Sequence, residues 1–187
     1  MEASDQLRMM VYASLFSALT AVGAFIAIPI GPVPIVLQNM FVYLAGLLLG
    51  ARWGLASVGV YLLAGALGLP VFAGGLGGIG RFIGPTGGYL IGYLPTVYLI
   101  GKISDRAQPR VLVDVLAMIC GTIVLYACGV SWLKIVTGVP TAKALILGMV
   151  PFLIGDALKI AAAAAIAKAL RPVVRVPGSA FRVTRSD

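Results

Sequence analysis

The sequence predicts an all-α, polytopic membrane protein, a compact bundle of six transmembrane helices with short loops. Hydrophobic residues make up 60% of the chain and charged residues only 11%, whereas a soluble domain carries about 25% charged residues. The apolar residues fall into runs that are separated by prolines, glycines or charges. Six spans of about 20 residues each use nearly all of the 187 residues.

The runs that define the six predicted spans are residues 7–28, 35–50, 53–68, 85–101, 112–130 and 144–170. The first ends at the prolines of residues 29–34, which exclude a helix. Residues 35–68 are too many for one span, so the lone Arg52 is predicted to mark a tight hairpin. The predicted connections are a glycine-rich loop over residues 69–84, a charged turn over 102–110 and a polar segment over 131–143.

Residues 1–170 are therefore predicted to form a single transmembrane domain, followed by a basic, disordered cytoplasmic tail over residues 171–187. Six spans place both termini on one side of the membrane. That side carries Arg8, Arg52, Lys102, Arg106, Arg110, Lys168, Arg171, Arg175, Arg182 and Arg185. The opposite side carries Arg81, Lys134 and Lys143. Because cytoplasmic loops are enriched in Lys and Arg, this asymmetry predicts cytoplasmic termini.

The composition argues against several functions. The chain contains no histidine, the commonest general base and metal ligand. No nucleophile–base pair or metal cluster is visible, so we predict no catalytic residue, no metal site, no cofactor and no enzyme activity. The net charge of +8 comes from cations that lie between and after the apolar runs. That placement indicates contact with anionic lipid rather than with nucleic acid.

Asp156 and Lys159 are the most informative charges, because both lie inside the last predicted span. They are three positions apart and share a helix face. From a helix start near Val150 they would lie about 9 and 14 Å below the outer surface. Intramembrane charges usually face the bundle interior or a cavity. The pair is either structural or a site for a polar ligand, in which lysine donates to oxygens and aspartate accepts from N–H groups.

The glycine-rich segment from Gly74 to Arg81 allows two interpretations, a flexible outer loop or a backbone-rich lid over a ligand. Gly75, Gly77 and Gly80 match a dinucleotide-binding pattern, but that pattern requires a βαβ unit, which is absent from this prediction. Gln38 and Asn39, early in the second span, either bond across helices or face the ligand.

Small residues recur every four positions on the first predicted helix. One stripe contains Ala13, Ser17 and Ala21, and the other contains Ser14 and Ala18. Small side chains allow a second helix to approach closely. Internal packing and an external partner explain these stripes equally well.

An ordered set of motifs extends from about Ala13 to Leu170. The motifs are Gly31-Pro32-Val33-Pro34-Ile35, Leu37-Gln38, Leu44-Ala45-Gly46-Leu47-Leu48-Leu49-Gly50, Gly68-Leu69-Pro70-Val71-Phe72-Ala73-Gly74-Gly75, Gly84-Pro85-Thr86-Gly87-Gly88-Tyr89, and Pro151-Phe152-Leu153-Ile154-Gly155-Asp156 with Lys159. Together they resemble the BioY family, the biotin-binding subunit (S component) of energy-coupling-factor (ECF) vitamin transporters.

The resemblance implies that the protein lies in the cell (inner) membrane of a prokaryote. It also implies that the protein captures biotin with high affinity from outside the cell. The implied partners are a shared transmembrane subunit and two ABC-type ATPases. The resemblance implies that Asp156 and Lys159 contact the ligand and that the loop from Gly74 to Arg81 is part of the lid. The full set of predicted ligand-binding residues is Gln38, Asn39, Gly74, Gly75, Arg81, Thr86, Tyr89, Asp156 and Lys159. The resemblance also makes the stripe formed by Ala13, Ser14, Ser17, Ala18 and Ala21 the partner-docking face.

Two alternatives remain open at this point. One is a self-sufficient carrier that moves biotin alone by self-association into an oligomer. The other is a substrate-binding subunit for another small vitamin. The self-sufficient carrier shares the binding site with the first interpretation, so the residues do not separate these two.

Overall fold

The structure, a computed structural model, describes residues 3–29, 31–108 and 110–174 and is mostly helical, as predicted. Its elements in chain order are α1 (Ala3–Phe25), β1 (Ala27–Ile28), β2 (Ile35–Val36), α2 (Gln38–Ala66), α3 (Gly80–Ile83), α4 (Gly87–Arg106), α5 (Val111–Thr137), α6 (Thr141–Gly148), a 3-10 turn (Val150–Phe152) and α7 (Leu153–Leu170).

Two short strands lie where only helix and loop are predicted. β1 and β2 pair antiparallel, with Ala27 opposite Val36. The second helix consequently begins at Gln38 rather than at Ile35. The amide of Leu37 donates to the carbonyl oxygens of Gly23 and Ile26, at 3.1 and 3.2 Å. These bonds satisfy carbonyls at the end of α1, where no further helical turn is available to do so.

The helix α2 reverses direction at Gly50, two residues before the predicted turn at Arg52. Gly50 has φ 75° and ψ −177°, which interrupts the helix. A Cβ atom placed on Gly54 would lie 3.1 Å from the carbonyl oxygen of Ala45. Nine residues of straight helix would hold these positions about 13 Å apart. Residues 38–49 and 51–66 therefore form the two arms of a helical hairpin.

The turn at Gly50 yields a stability prediction. Its φ and ψ values fall in a region that only glycine adopts readily, and other residues lose about 1–3 kcal/mol there. A Cβ would also overlap the carboxylate of Asp105, which accepts the Ala51 N–H at 3.0 Å. We expect Gly50→Ala to lower the thermal midpoint of the detergent-purified protein by several degrees. Gly59→Ala is the matched control, because a Cβ there meets nothing within 4 Å, and an equal loss in both would contradict this account.

The helix α4 lies between α2 and α5 and extends further than predicted. It continues through Lys102 to Arg106, where the sequence predicts a charged turn. Ser104 Oγ donates to the carbonyl oxygen of Leu47 at 3.1 Å, and Asp105 caps the second arm of α2. The end of α4 is thus stabilised by the α2 turn, which local sequence does not reveal. Similarly, α5 continues to Thr137, through the first half of the predicted polar segment.

The last predicted span is divided into α6, the 3-10 turn and α7, with the break at Met149 and Pro151. Because α7 begins at Leu153 instead of near Val150, Asp156 lies in its first turn. Asp156 and Lys159 are therefore only about 4 and 9 Å below the start of α7.

Arg171, assigned by the sequence to a disordered tail, instead belongs to the bundle. Its guanidinium donates twice to the buried carboxylate of Asp114, at 2.8 and 2.5 Å. This bidentate pair joins the end of α7 to the first turn of α5. Residues 175–187 of the predicted tail lie outside the described residues.

Four helical segments of the described chain are long and apolar enough to cross a membrane. They are Ala3–Phe25, Gln38–Ala66, Val111–Thr137 and Thr141–Leu170. Their outward faces carry exposed leucines, isoleucines and valines, including Leu63, Ile123 and Leu158. A soluble protein rarely exposes such continuous apolar surface. These helices indicate a helical membrane protein, as the sequence predicts.

Candidate ligand-binding site

A cavity of about 380 Å³ lies at the end of the bundle where the α1–α2 connection, the glycine-rich loop and the α6–α7 break meet. Its lining comes from distant parts of the chain. The polar and charged side chains of the lining are Gln38, Asn39, Arg81, Thr86, Tyr89, Tyr93, Tyr126, Asp156 and Lys159. Prolines and large apolar side chains complete the wall. An apolar pocket with a few convergent polar groups is typical of a small-molecule site.

Asp156 is the centre of a hydrogen-bond network in this cavity. Its Oδ1 atom accepts from Lys159 Nζ at 2.9 Å and from Asn39 Nδ2 at 3.4 Å. Its Oδ2 atom accepts from the hydroxyl of Tyr126 at 2.5 Å. Helices α2, α5 and α7 therefore each supply one side of the carboxylate's surroundings.

The orientation of Asn39 is fixed by a second tyrosine. The Tyr93 hydroxyl donates to Asn39 Oδ1 at 3.0 Å. Because the oxygen of the amide is engaged there, its nitrogen faces Asp156. Gln38, also buried, lines the cavity beside Asn39.

The cavity carries three charges, two of which are almost fully buried. Asp156 and Lys159 are only 2% and 8% exposed. Their ion pair offsets part of the cost of removing each charge from water. Arg81, half-buried on the loop side, has no ion-pair partner within the described part of the chain. The lining therefore carries one excess positive charge, which favours an anionic ligand.

Tyr89 holds α4, α5 and α6 together beside the cavity. Its hydroxyl donates to the carbonyl oxygen of Gly148, the last residue of α6, at 2.6 Å. Its ring lies directly on Gly129 of α5, where any Cβ would overlap the ring atoms. Tyr89 therefore lines the cavity and links α4 to α5 and α6, instead of anchoring the protein at the membrane–water interface.

The glycine-rich loop is packed onto the bundle by an aromatic cluster. Phe72 makes edge-to-face contacts with Tyr61 and Phe82, with ring centroids 5.5 and 5.6 Å apart. The single turn α3 lies within this loop, where the sequence predicts no helix. Trp132 Nε1 donates to the carbonyl oxygen of Gly84 at 3.0 Å and ties the end of the loop to α5. The Phe72–Tyr61 contact and the Trp132 hydrogen bond thus hold the loop against the bundle.

The structure brings most of the predicted site residues together. Eight of them line the cavity, namely Gln38, Asn39, Gly74, Arg81, Thr86, Tyr89, Asp156 and Lys159. Gly75 does not line the cavity, although a Cβ there would lie only 3.4 Å from the ring of Phe25, which does. Tyr93 and Tyr126 were missed by sequence reasoning. A signal existed for Tyr93, which lies four positions after Tyr89 and thus on the same helix face.

The small-residue stripes of α1 have different surroundings. Ala13 and Ser17 are buried inside the bundle, at 5% and 8% exposure, and Ala21 is half-buried. Ser14 and Ala18 are exposed on the outward face. The first stripe thus serves internal packing, and only the second is accessible to a partner. No group of three or more potential metal ligands occurs among the described residues.

The sequence and the fold are similar to those of known membrane transport proteins. The model of the BioY family matches residues 1–176, which is nearly the whole chain. The chain belongs to the BioY family. It is 45% identical to the probable biotin transporter BioY of Pyrococcus horikoshii over 158 residues, covering 84% of this chain and 93% of that protein. It is 39% identical to the biotin transporter BioY of Thermotoga maritima over 165 residues, covering 88% and 96%.

The fold agrees with this membership. The structure matches the crystal structure of the S component for biotin from an ECF-type ABC transporter, with a TM-score of 0.86 and 34% identity over 92% of this chain and 95% of that chain. The resemblance found in the motifs is therefore confirmed. Because these BioY proteins are transport components, the prediction that the chain is not an enzyme is confirmed as well.

Proposed function

We propose that this BioY protein binds biotin in the cavity beside Asp156 and delivers it across the membrane as the S component of an ECF transporter. The buried Asp156–Lys159 network inside a largely apolar cavity is the observation that carries the proposal. Biotin presents a ureido group with two N–H donors and one carbonyl, and an apolar chain that ends in a carboxylate. Each polar group has a complementary partner in this lining.

The ureido group fits the inner end of the cavity. Asp156 accepts from its N–H groups, and Lys159 donates to its carbonyl oxygen. The Asn39–Asp156 bond of 3.4 Å is the longest, and hence the weakest, contact of the carboxylate. A ureido N–H replaces this contact at the smallest cost, and the released Asn39 amide then also donates to the ligand carbonyl.

The carboxylate of biotin fits the loop side of the cavity. Arg81 supplies the excess positive charge there, and guanidinium groups bind carboxylates with two parallel hydrogen bonds. The apolar chain of the ligand lies against Phe72, Leu90 and Phe152. Gly74 and its neighbours cover the ligand as a lid, since a glycine backbone approaches closely.

The proposed ligand is tested by titration. We expect labelled biotin to bind the detergent-purified chain in a saturable manner, with unlabelled biotin displacing it. Other small vitamins that lack the ureido ring, such as riboflavin and thiamine, are expected not to compete. Displacement of biotin by one of them at lower concentration would assign the site to that vitamin instead.

The mode of transport is tested in vesicles. As partners we propose a shared ECF transmembrane subunit and two ABC-type ATPases, because the chain resembles an S component and not a complete ABC transporter. Vesicles that contain only this chain are expected to bind biotin without accumulating it, with or without ATP. Accumulation by the chain alone would support the second candidate, a self-sufficient oligomeric carrier.

We also propose six membrane crossings, made by α1, the two arms of α2, α4, α5 and the α6–α7 unit. The α2 arms are only about 18 and 24 Å long, so they cross a core of about 30 Å with local thinning of the bilayer. The cation asymmetry between the two sides supports cytoplasmic termini, in the cell (inner) membrane of a prokaryote. The cavity then opens to the outside.

The orientation yields a labelling prediction. In a background that lacks Cys120 and Cys128, Gly80→Cys is expected to react with a membrane-impermeant maleimide added to intact cells. Gly80 suits this test because a Cβ there meets nothing within 4 Å. Lys168→Cys, exposed at the opposite end of α7, is expected to react only after permeabilisation. The reverse labelling pattern would overturn the orientation.

A further inference from the structure

A second concave surface lies outside the ligand cavity, between α5, α6 and α7. This groove has a volume of about 540 Å³. Single faces of the three helices line it, with spacings of three and four residues on each. The lining residues are Ile119, Thr122, Ile123, Tyr126, Ala127, Val130, Ser131, Thr141, Leu145, Met149, Leu153, Asp156, Ala157 and Ile160.

The groove offers almost no hydrogen bonds to an occupant. Thr122 donates to the carbonyl oxygen of Met118 at 2.8 Å, and the Tyr126 hydroxyl is bonded to Asp156. Free polar groups remain only at one end, where Ser131 and Thr141 lie. Its middle therefore suits a hydrocarbon, and an empty groove would lose the dispersion contacts of its lining.

The dimensions and charges of the groove indicate which hydrocarbon. From Ile119 to Val130 it follows α5 for about 16 Å, roughly half the 30 Å hydrocarbon core and hence the depth of one leaflet. Lys134 continues the same face of α5, three residues beyond Ser131, and is exposed. A cation thus lies beyond the polar end of the apolar groove. This order of charge and apolar surface is complementary to a lipid phosphate and the acyl chain below it.

We propose that this groove binds one phospholipid, with an acyl chain between α5 and α7 and the phosphate at Lys134. Tyr126 and Asp156 line the groove and the ligand cavity alike. The bound chain therefore covers the outer side of the Tyr126–Asp156 contact and keeps water from it. This proposal does not depend on which ligand fills the cavity.

The test counts bound lipid by native mass spectrometry after stepwise delipidation in mild detergent, in the presence of phosphatidylglycerol. We expect one phospholipid to remain on the unmodified chain. Ala127→Trp and Ala157→Trp fill the groove and are expected to reduce the retained fraction at least tenfold. Leu63→Trp, on the exposed face of α2, is the matched control and is expected to retain the lipid.

Folding of each variant is checked by its monodispersity and thermal midpoint. The interpretation of lipid retention is therefore independent of biotin binding. Lys134→Ala is expected to lower retention several-fold by removing the phosphate partner. Equal retention in Ala127→Trp, Ala157→Trp and the control would overturn the groove as a lipid site. Unchanged retention in Lys134→Ala alone would overturn the headgroup assignment.

Discussion

Replacing Asp156 with asparagine is expected to weaken biotin binding at least ten- to a hundredfold. The substitution removes a charge-assisted hydrogen bond to the ligand, worth about 1.5–3 kcal/mol. It also leaves the buried Lys159 ammonium, 2.9 Å from the carboxylate, without its counter-charge. In addition, the new amide donors meet the ureido donors unfavourably. Lys159→Ala is expected to cost at least as much, and the affinity is measured by titration of each monodisperse variant.

The fold provides a matched control for this prediction. Asp114 is equally buried and ion-paired, but its partner Arg171 lies at the opposite end of α7 from the cavity. Asp114→Asn is expected to lower the thermal midpoint and to leave biotin affinity within twofold of the unmodified chain. If the Asp156 and Lys159 variants also bind like the unmodified chain, the pair has a structural role only. Gln38 and the glycine-rich loop would then be the next candidates for the ligand contacts.

Replacing Ala18 with tryptophan is expected to abolish ATP-driven uptake while leaving biotin binding intact. Ala18 and Ser14 lie four residues apart on the outward face of α1, where small side chains allow a partner helix to approach. A tryptophan there holds the helices apart but does not enter the bundle. Uptake of labelled biotin into vesicles that contain the complete transporter, compared with titration of the purified variant, separates the two effects.

Two further variants locate the docking face. Ser17→Trp places a large ring in a position that is only 8% exposed, so it is expected to disrupt folding and to abolish binding as well. Leu63→Trp, outward on α2, is expected to change neither property. Normal uptake by Ala18→Trp would show that the stripe formed by Ser14 and Ala18 is not part of the docking surface.

The helical architecture is readable from the sequence because each span is a long apolar run. The helix ends are not, because they depend on distant contacts. Asp105 caps the arm of α2 that begins at Ala51. This contact stabilises the last turn of α4, which extends to Arg106 through residues that the sequence assigns to a charged turn. Arg171 is drawn from the predicted tail into the bundle by the buried Asp114. A local pattern cannot report a partner that is more than fifty residues away.

The candidate site shows the same limit. Asp156 and Lys159 stand out as charges in an apolar run, and their shared face follows from helical spacing. Tyr126 gives no such signal, since tyrosine is common in membrane helices. Its role is visible only in the fold, where its hydroxyl on α5 donates to Asp156 Oδ2 on α7 at 2.5 Å. Likewise, periodicity identifies two stripes on α1 but not which of them faces the bundle. That depends on where α2 packs, which is a property of the assembled fold.

The most direct measurement is an experimental structure of this chain with biotin bound. We expect the ureido ring within hydrogen-bond distance of Asp156 and Lys159, the carboxylate toward Arg81, and Asn39 turned from Asp156 to the ligand. Biotin bound elsewhere on the protein, with the Asn39–Asp156–Tyr126 network unchanged, would contradict the assignment of this cavity as the binding site.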